Sequence, residues 1–160
     1  MTRSIYVVTL LAALGSAIVG GVMYAFSSFV MSGLDRATPS QAIAAMNGIN
    51  VTAVRPPFML PFMGTALLSV VLVVAGLVRH GRPESWFLVA GGVVYLVGTF
   101  VLTVAFNVPR NDALALVDPN SAEAAARWAT YYRDWTLANH VRTLTSLVSA
   151  GLFVAALVRA

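Results

Sequence analysis

The chain has 160 residues, of which 59% are hydrophobic and only 10% are charged, and its mean hydropathy is +0.82. A soluble domain usually carries about 25% charged residues, so this composition excludes an ordinary soluble fold and indicates lipid as the solvent. Cysteine is absent, which excludes disulfides, a thiolate nucleophile and cysteine-bound metals. The net charge of +4 comes from scattered arginines and does not indicate nucleic-acid binding.

Four apolar segments are long enough to cross a bilayer, which takes about 20 residues. They are residues 5–30, 58–78, 86–106 and 137–158, and together they predict a single membrane domain over residues 1–160. The first segment is too long for a cleaved signal peptide and has no clean cleavage site. The predicted fold class is therefore an all-α integral membrane protein with a bundle of four transmembrane helices.

The connections between the spans are unequal. Residues 79–84 form a tight turn, whereas the other two connections are each about 30 residues long and share one side of the membrane. Thr38-Pro39-Ser40-Gln41 is typical of a capping box with Pro at the first helical position, and Asn120 to Glu123 has the same character. We therefore predict two short helices in the long loops, the second of which either runs straight into the fourth span or bends near Asp134.

Orientation follows from the arginines that flank the spans. A raw count of arginines favours the long-loop side, with six against four. The arginines of the short-loop side, however, are accompanied by a single acid, and the long-loop arginines are interpreted as engaged in local structure. Both termini are accordingly expected in the cytoplasm, and the composition suits a bacterial inner (plasma) membrane. In the first span, Ala12, Ser16 and Gly20 form a ridge of small residues, which favours close helix packing.

Polar residues are concentrated where the third span ends and the fourth begins. Asn107, Pro109 and Asn111 follow the third span, and antiparallel topology brings them to the start of the fourth. Helical spacing there forms one continuous stripe that is expected to face the bundle interior: Trp128, Tyr132, Trp135, Asn139, Arg142 and Ser146. Beside it runs a second row with Thr136, His140 and Thr143.

Each of these residues also has a purely structural interpretation. The aromatic residues, Tyr131 among them, suit an interfacial belt, Arg133 and Asp134 suit a solvated ion pair, and Arg142 can extend to the headgroups. Asn107 and Asn111 can satisfy backbone groups freed by Pro109. His140 is predicted to lie in the bundle interior, either as a general base or as a hydrogen-bonded core residue. No metal site is predicted from the side chains, although His140 alone could be an axial haem ligand.

The motifs Asn107-x-Pro109-x-Asn111 and Trp135-x-x-x-Asn139-His140-x-Arg142-Thr143 resemble the small integral membrane family that includes the fungal anthrone oxygenases. The resemblance extends over the chain and includes the stretch from Met46 to Asn50. It implies oxidation of a flat, apolar anthrone to a quinone by molecular oxygen, without a dedicated cofactor. In that light His140 would be the base, and Asn139, Asn107 or Arg142 would stabilise the enolate oxygen. The substrate-binding residues would be Asn50, Asn107, Asn111, Tyr131, Tyr132 and Trp135.

Two other classes of function remain open from the sequence. One is a non-enzymatic membrane scaffold or transporter accessory protein, in which the polar cluster ties helix ends together. The other is a haem or quinone redox protein with His140 as the ligand. The expected partners are a hydrophobic small molecule and the lipid membrane, without nucleic acid, and a homo-oligomer is left open.

Overall fold

A computed structural model describes all residues, 1–160, and the chain is entirely helical outside its turns. Four long helices are α1 (Arg3–Leu34), α3 (Pro56–Val78), α4 (Ser85–Ala115) and α5 (Ala124–Val158). A shorter helix, α2 (Pro39–Ala53), lies in the connection between α1 and α3. The four long helices are apolar and long enough to cross a membrane, which confirms the predicted all-α bundle.

The distribution of side chains also fits a membrane. Large aliphatic residues cover the outside of the bundle, with Leu14, Leu67 and Leu144 each more than half exposed. In contrast, polar side chains such as those of Ser16, Thr99 and Ser146 are buried between the helices. A water-soluble protein of this size does not expose so much continuous apolar surface. The chain is therefore an integral membrane protein.

The helices form a square bundle in which α1 packs against α3 and α5, and α4 packs against the same two helices. Small residues permit these contacts. Ala12, Ser16 and Gly20 are all buried, so the predicted ridge of α1 does pack inside the bundle. Ser16 and Ser149 form a hydrogen bond of 3.3 Å between α1 and α5. Close backbone approach and interhelical hydrogen bonds hold such bundles together where lipid removes the hydrophobic driving force.

The helices extend beyond the predicted spans at the long-loop end. The fourth predicted span began at residue 137, whereas α5 starts at Ala124 and continues unbroken for 35 residues, or about 52 Å. The third helix likewise continues through Pro109 to Ala115. Since the hydrocarbon core is about 30 Å thick, these extensions and α2 form a helical layer above it. The predicted alternative of a bend near Asp134 is wrong.

The two predicted helix caps have different outcomes. Thr38 forms the predicted capping box: its Oγ1 accepts from the Gln41 backbone N–H at 3.4 Å, and the Gln41 side chain accepts from the Thr38 N–H at 3.3 Å. The predicted cap at Asn120 is wrong, because α5 begins four residues later without a side-chain cap. The Asn120 backbone N–H instead donates to the Asp118 carboxylate at 2.9 Å, which makes this segment a turn.

Wide, π-helical turns occur in α1 and α4. They span Phe26–Val30 in α1, and Tyr95–Val101 and Thr103–Asn107 in α4. Such turns are rare and are frequent at functional sites, since they reorient side chains within a continuous helix. Here two of them lie at the level of the polar start of α5, and they position Ser27, Thr103 and Asn107.

Candidate functional site

The polar stripe of α5 faces the bundle interior, as its spacing predicts. Trp128, Trp135, Asn139, Arg142 and Ser146 are all buried, while Tyr132 is half-buried at the edge. The stripe is inward-facing because α5 is in contact with α1 and α4 along this side. Its buried polar groups must then find partners on those helices.

Asn139 joins α5 to α1. Its Nδ2 donates to the Met23 carbonyl at 2.7 Å and to Ser27 Oγ at 2.8 Å, and its Oδ1 accepts from Arg142 Nη2 at 2.8 Å. The Asn139 side chain is fully buried. All of its hydrogen-bonding groups are therefore occupied, so its geometry positions Arg142 and leaves no free donor for a ligand.

Arg142 is a buried cation without an acidic partner. Its side chain is only 3% exposed, and its Nη1 donates to Thr103 Oγ1 on α4 at 3.3 Å. Its guanidinium carbon lies 4.8 Å from the centre of the Trp135 ring, a cation–π distance. None of the ion pairs of the protein includes Arg142. The sequence left open that the Arg142 side chain extends to the lipid headgroups, but in the structure it is buried inside the bundle.

An aromatic cluster lies next to this cation. Trp135 packs against Phe26 of α1 at 5.6 Å and against Tyr131 at 6.2 Å, both measured between ring centres. Tyr131 is stacked with Trp128 at 5.8 Å, and Tyr132 lies 6.3 Å from the same indole. These rings are mostly buried within the layer of α2 and the helix extensions, so they are core residues rather than only an interfacial belt.

The other three asparagines that were predicted to belong to the site differ from one another in position. Asn107 is buried and donates from Nδ2 to the Trp135 carbonyl at 3.4 Å. The Oδ1 of Asn111 accepts from the Tyr131 hydroxyl at 2.9 Å. Asn50 on α2 is half-buried and faces the same region from above. Asn107 thus ties α4 to α5, whereas Asn50 and Asn111 line an adjacent cavity.

That cavity has a volume of about 420 Å³ and is lined by residues of all five helices. Such a volume suits a small organic ligand. Thirteen of its 20 lining residues are hydrophobic, and Arg142 is the one charged residue among them. Its aromatic and polar walls are formed by Phe26, Asn50, Phe58, Phe62, Thr103, Asn111, Trp135 and Arg142.

Several buried polar atoms around the cavity have no partner within the protein. They include Nε of Arg142, Nε1 of Trp135 and Nδ2 of Asn50, all of which belong to residues that line the cavity. All three are hydrogen-bond donors. A buried donor without an acceptor costs about 1–3 kcal/mol. A cavity lined by the residues that carry these three donors is therefore suited to a ligand with an electron-rich oxygen.

His140 does not belong to this group. Its side chain is exposed, it makes no hydrogen bond, and it is absent from the lining of the cavity. At 100° per residue it points roughly 160° away from Arg142 around the axis of α5. The prediction that His140 lies in the bundle interior is wrong. The buried face of α5 is narrower than the two predicted rows together: it includes Thr143 of the second row but not His140.

The structure also adds residues that sequence reasoning missed. Ser27 contacts both Asn139 and, at 3.1 Å, Thr143, while Thr103 contacts Arg142. Phe26, Phe58 and Phe62 form the apolar walls. Polar residues within apolar spans were the available signal for Ser27 and Thr103. The phenylalanines gave none, because nothing in the sequence distinguishes them from residues that face lipid.

A comparison with protein families identifies one match: the family model described as anthrone oxygenase matches residues 58–152. This range is more than half of the chain and includes nearly all of α3, all of α4 and most of α5. It contains Asn107, Asn111, Trp135, Asn139 and Arg142, whereas Asn50 lies before it. Comparisons with curated proteins and with solved structures give no match.

Proposed function

This chain belongs to the anthrone oxygenase family, and we propose that it oxidises a hydrophobic, hydroxylated aromatic ketone of the anthrone type to a quinone with molecular oxygen. The observation that carries the proposal is the buried Arg142, which lacks an acidic partner and borders an apolar cavity of about 420 Å³. A lone buried cation is costly to maintain, and an anionic oxygen in the cavity would offset that cost.

The overall reaction requires one oxygen molecule for each substrate. The ring methylene loses two hydrogens and gains a carbonyl oxygen, so anthrone and O₂ give anthraquinone and water. Loss of one methylene proton produces a carbanion whose charge is shared with the ketone oxygen as an enolate. The carbanion reduces O₂, and carbon–oxygen bond formation yields a peroxide anion, which takes a proton from solvent to become a hydroperoxide. Cleavage of the O–O bond with loss of the second hydrogen releases water and leaves the quinone.

The first step is where the protein has the most to contribute. The enolate oxygen develops negative charge, and two residues that line the cavity carry unpartnered donors, Nε of Arg142 and Nε1 of Trp135. Donors that are oriented before the charge forms stabilise it without reorganisation. Asn139 positions the guanidinium by accepting from Nη2. Thus Arg142 and Trp135 would lower the barrier to proton loss.

The apolar walls suit the remainder of the substrate. Phe26 and Trp135 form a tilted aromatic pair, and Phe58 and Phe62 are stacked at 5.7 Å on α3. A flat tricycle would pack between such faces. Because Arg142 is the only titratable side chain that lines the cavity, the proton passes to solvent in this proposal. A role for His140 as the base stays a prediction without support from its position.

The experiment is the oxidation of 1,8-dihydroxyanthrone by the purified protein in detergent micelles under ¹⁸O₂. We expect oxygen uptake above the spontaneous rate, one quinone per O₂, and one ¹⁸O atom in the new carbonyl. The heat-denatured protein provides the background rate of autoxidation. No acceleration over this background would refute the proposal. The visible spectrum of the same preparation tests the alternative of a haem protein, which would show a Soret band.

A further inference from the structure

We infer that the cavity opens sideways between α1 and α3 to the lipid bilayer, and that the aromatic substrate enters and the quinone leaves through this opening. The inference rests on the proposed function for the identity of the ligand. It adds the route by which the ligand reaches the cavity and the phase from which it comes, which is the lipid bilayer. We call the opening the lateral portal, and its residues are Ile18, Val22, Pro57 and Pro61.

The portal residues both line the cavity and face outward. Ile18 is 56% exposed and Val22 is 37% exposed on α1, and Pro57 is exposed on α3. Each also lines the cavity, as does the half-buried Pro61. A side chain that does both borders the mouth of the cavity. Thr52 and Val54 around the C-terminal end of α2 and Val108 on α4 are also exposed lining residues, so the mouth extends beyond the portal. All four portal residues are apolar, and they belong to helices that span the membrane.

The packing of α1 against α3 bounds the portal on one side. The two helices are tightly packed one turn away, where any side chain at Gly15 would collide with Thr65. Beyond this point, towards the long-loop end, Pro61 interrupts the hydrogen bonding of α3 from within. On the long-loop side, the cavity is lined by Ile49 and Ala53 of α2. The portal therefore lies in the half of the bilayer nearer the long loops.

The competing route leads through a second, larger cleft at the long-loop end. That cleft has a volume of about 800 Å³, and its lining includes five charged residues: Arg110, Asp118, Glu123, Arg127 and Asp134. Tyr131 lines the cleft and Asn111 lines the inner cavity, and their hydrogen bond of 2.9 Å lies between the two spaces. An apolar tricycle would have to leave the lipid, cross a charged surface and break this bond. The lateral portal demands none of these steps.

The test uses the intrinsic fluorescence of Trp135, which lines the cavity. Replacing Trp86 and Trp128 by Phe leaves Trp135 as the single tryptophan of the chain. The protein is reconstituted in phosphatidylcholine vesicles, and 1,8-dihydroxyanthraquinone is added from donor vesicles as the probe. Contact between the quinone and the indole quenches its emission, so stopped-flow measurements give association and dissociation rates, and titration gives Kd.

In this background, Ile18→Phe and Val22→Phe narrow the portal. We expect each to slow association and dissociation at least tenfold with Kd nearly unchanged, because a barrier affects both directions equally. Two matched controls should leave the rates unchanged. Leu14→Phe adds the same bulk one turn away on the exposed face of α1, outside the cavity lining. Thr130→Phe narrows the outer cleft instead.

Unchanged rates in both portal variants would overturn the inference, whichever result Thr130→Phe gives. A weaker Kd at an unchanged association rate would also overturn it, since Ile18 and Val22 would then be binding residues only. Absence of quenching in the parent protein would overturn both the portal and the substrate site. If the quinone binds through the portal but the protein oxidises no anthrone, only the proposed function fails.

Discussion

Replacing Arg142 by Met removes the one charge that borders the cavity while keeping an unbranched side chain of similar length. The variant loses the hydrogen bonds to Asn139 and Thr103, which measure 2.8 and 3.3 Å. It also removes a buried cation that has no acidic partner. The first change destabilises the fold by about 1–3 kcal/mol and the second offsets it. We therefore expect the Arg142→Met variant to fold.

The effect on catalysis should be much larger. Removing one oriented donor from a developing oxyanion costs about 2.7–4 kcal/mol, or roughly 10²–10³ in kcat. The KM should change little, because the substrate binds as a neutral ketone and acquires its charge only afterwards. Arg142→Lys should retain part of the rate, since it keeps the charge but loses the planar fork. The assay is oxygen uptake and quinone absorbance with 1,8-dihydroxyanthrone, corrected for autoxidation.

The control for this experiment is Arg133→Met on the same helix. Arg133 is largely exposed and pairs with Asp134 at 2.8 Å, away from the lining of the cavity. This variant removes an arginine of the same type and should keep the wild-type kcat. A wild-type kcat in Arg142→Met would refute the reasoning. An equal loss in both arginine variants would do so too, because it would indicate a general effect of charge.

Three further predictions concern His140, Glu84 and the orientation of the chain in the membrane. His140→Ala should retain the wild-type kcat in the oxygen assay, since the side chain is exposed outside the cavity; a loss of turnover would restore it as the base. The pKa of Glu84 is lowered by a hydrogen bond from its own backbone and by the N-terminal ammonium group, whose nitrogen lies 3.4 Å from its Oε1. Its stabilising effect is therefore present above its ordinary pKa and is lost as the pH falls through the lowered one. Glu84→Gln should accordingly melt below the wild type at pH 7, with the difference vanishing in acid, and a constant difference would contradict this. Because the chain has no cysteine, single cysteines at Asp118 and Arg82 report orientation cleanly. An impermeant maleimide should label only the first in intact cells if both termini are cytoplasmic, and the reverse pattern would invert the topology.

The sequence determined the architecture because hydropathy is a local property. Each span is identified by its own composition, and the four spans dictate a bundle whose loop lengths bring Asn111 and Trp135 to the same end. The capping box at Thr38 is equally local, since its two hydrogen bonds join residues three apart. Helical spacing also predicted the inward-facing stripe that contains Asn139 and Arg142, because residues on one face of a helix share one environment.

The tertiary structure decided which polar residues belong to the site. His140 lies next to Asn139 in sequence, yet the width of the contact between α5 and α1 places one outside and the other inside. The sequence of α5 alone does not predict the width of this contact, because the width also depends on the small residues of α1. The same holds for the cavity. Its walls come from five helices, and α1 and α3 are in close contact at Gly15 and Thr65, which are 50 residues apart in the chain.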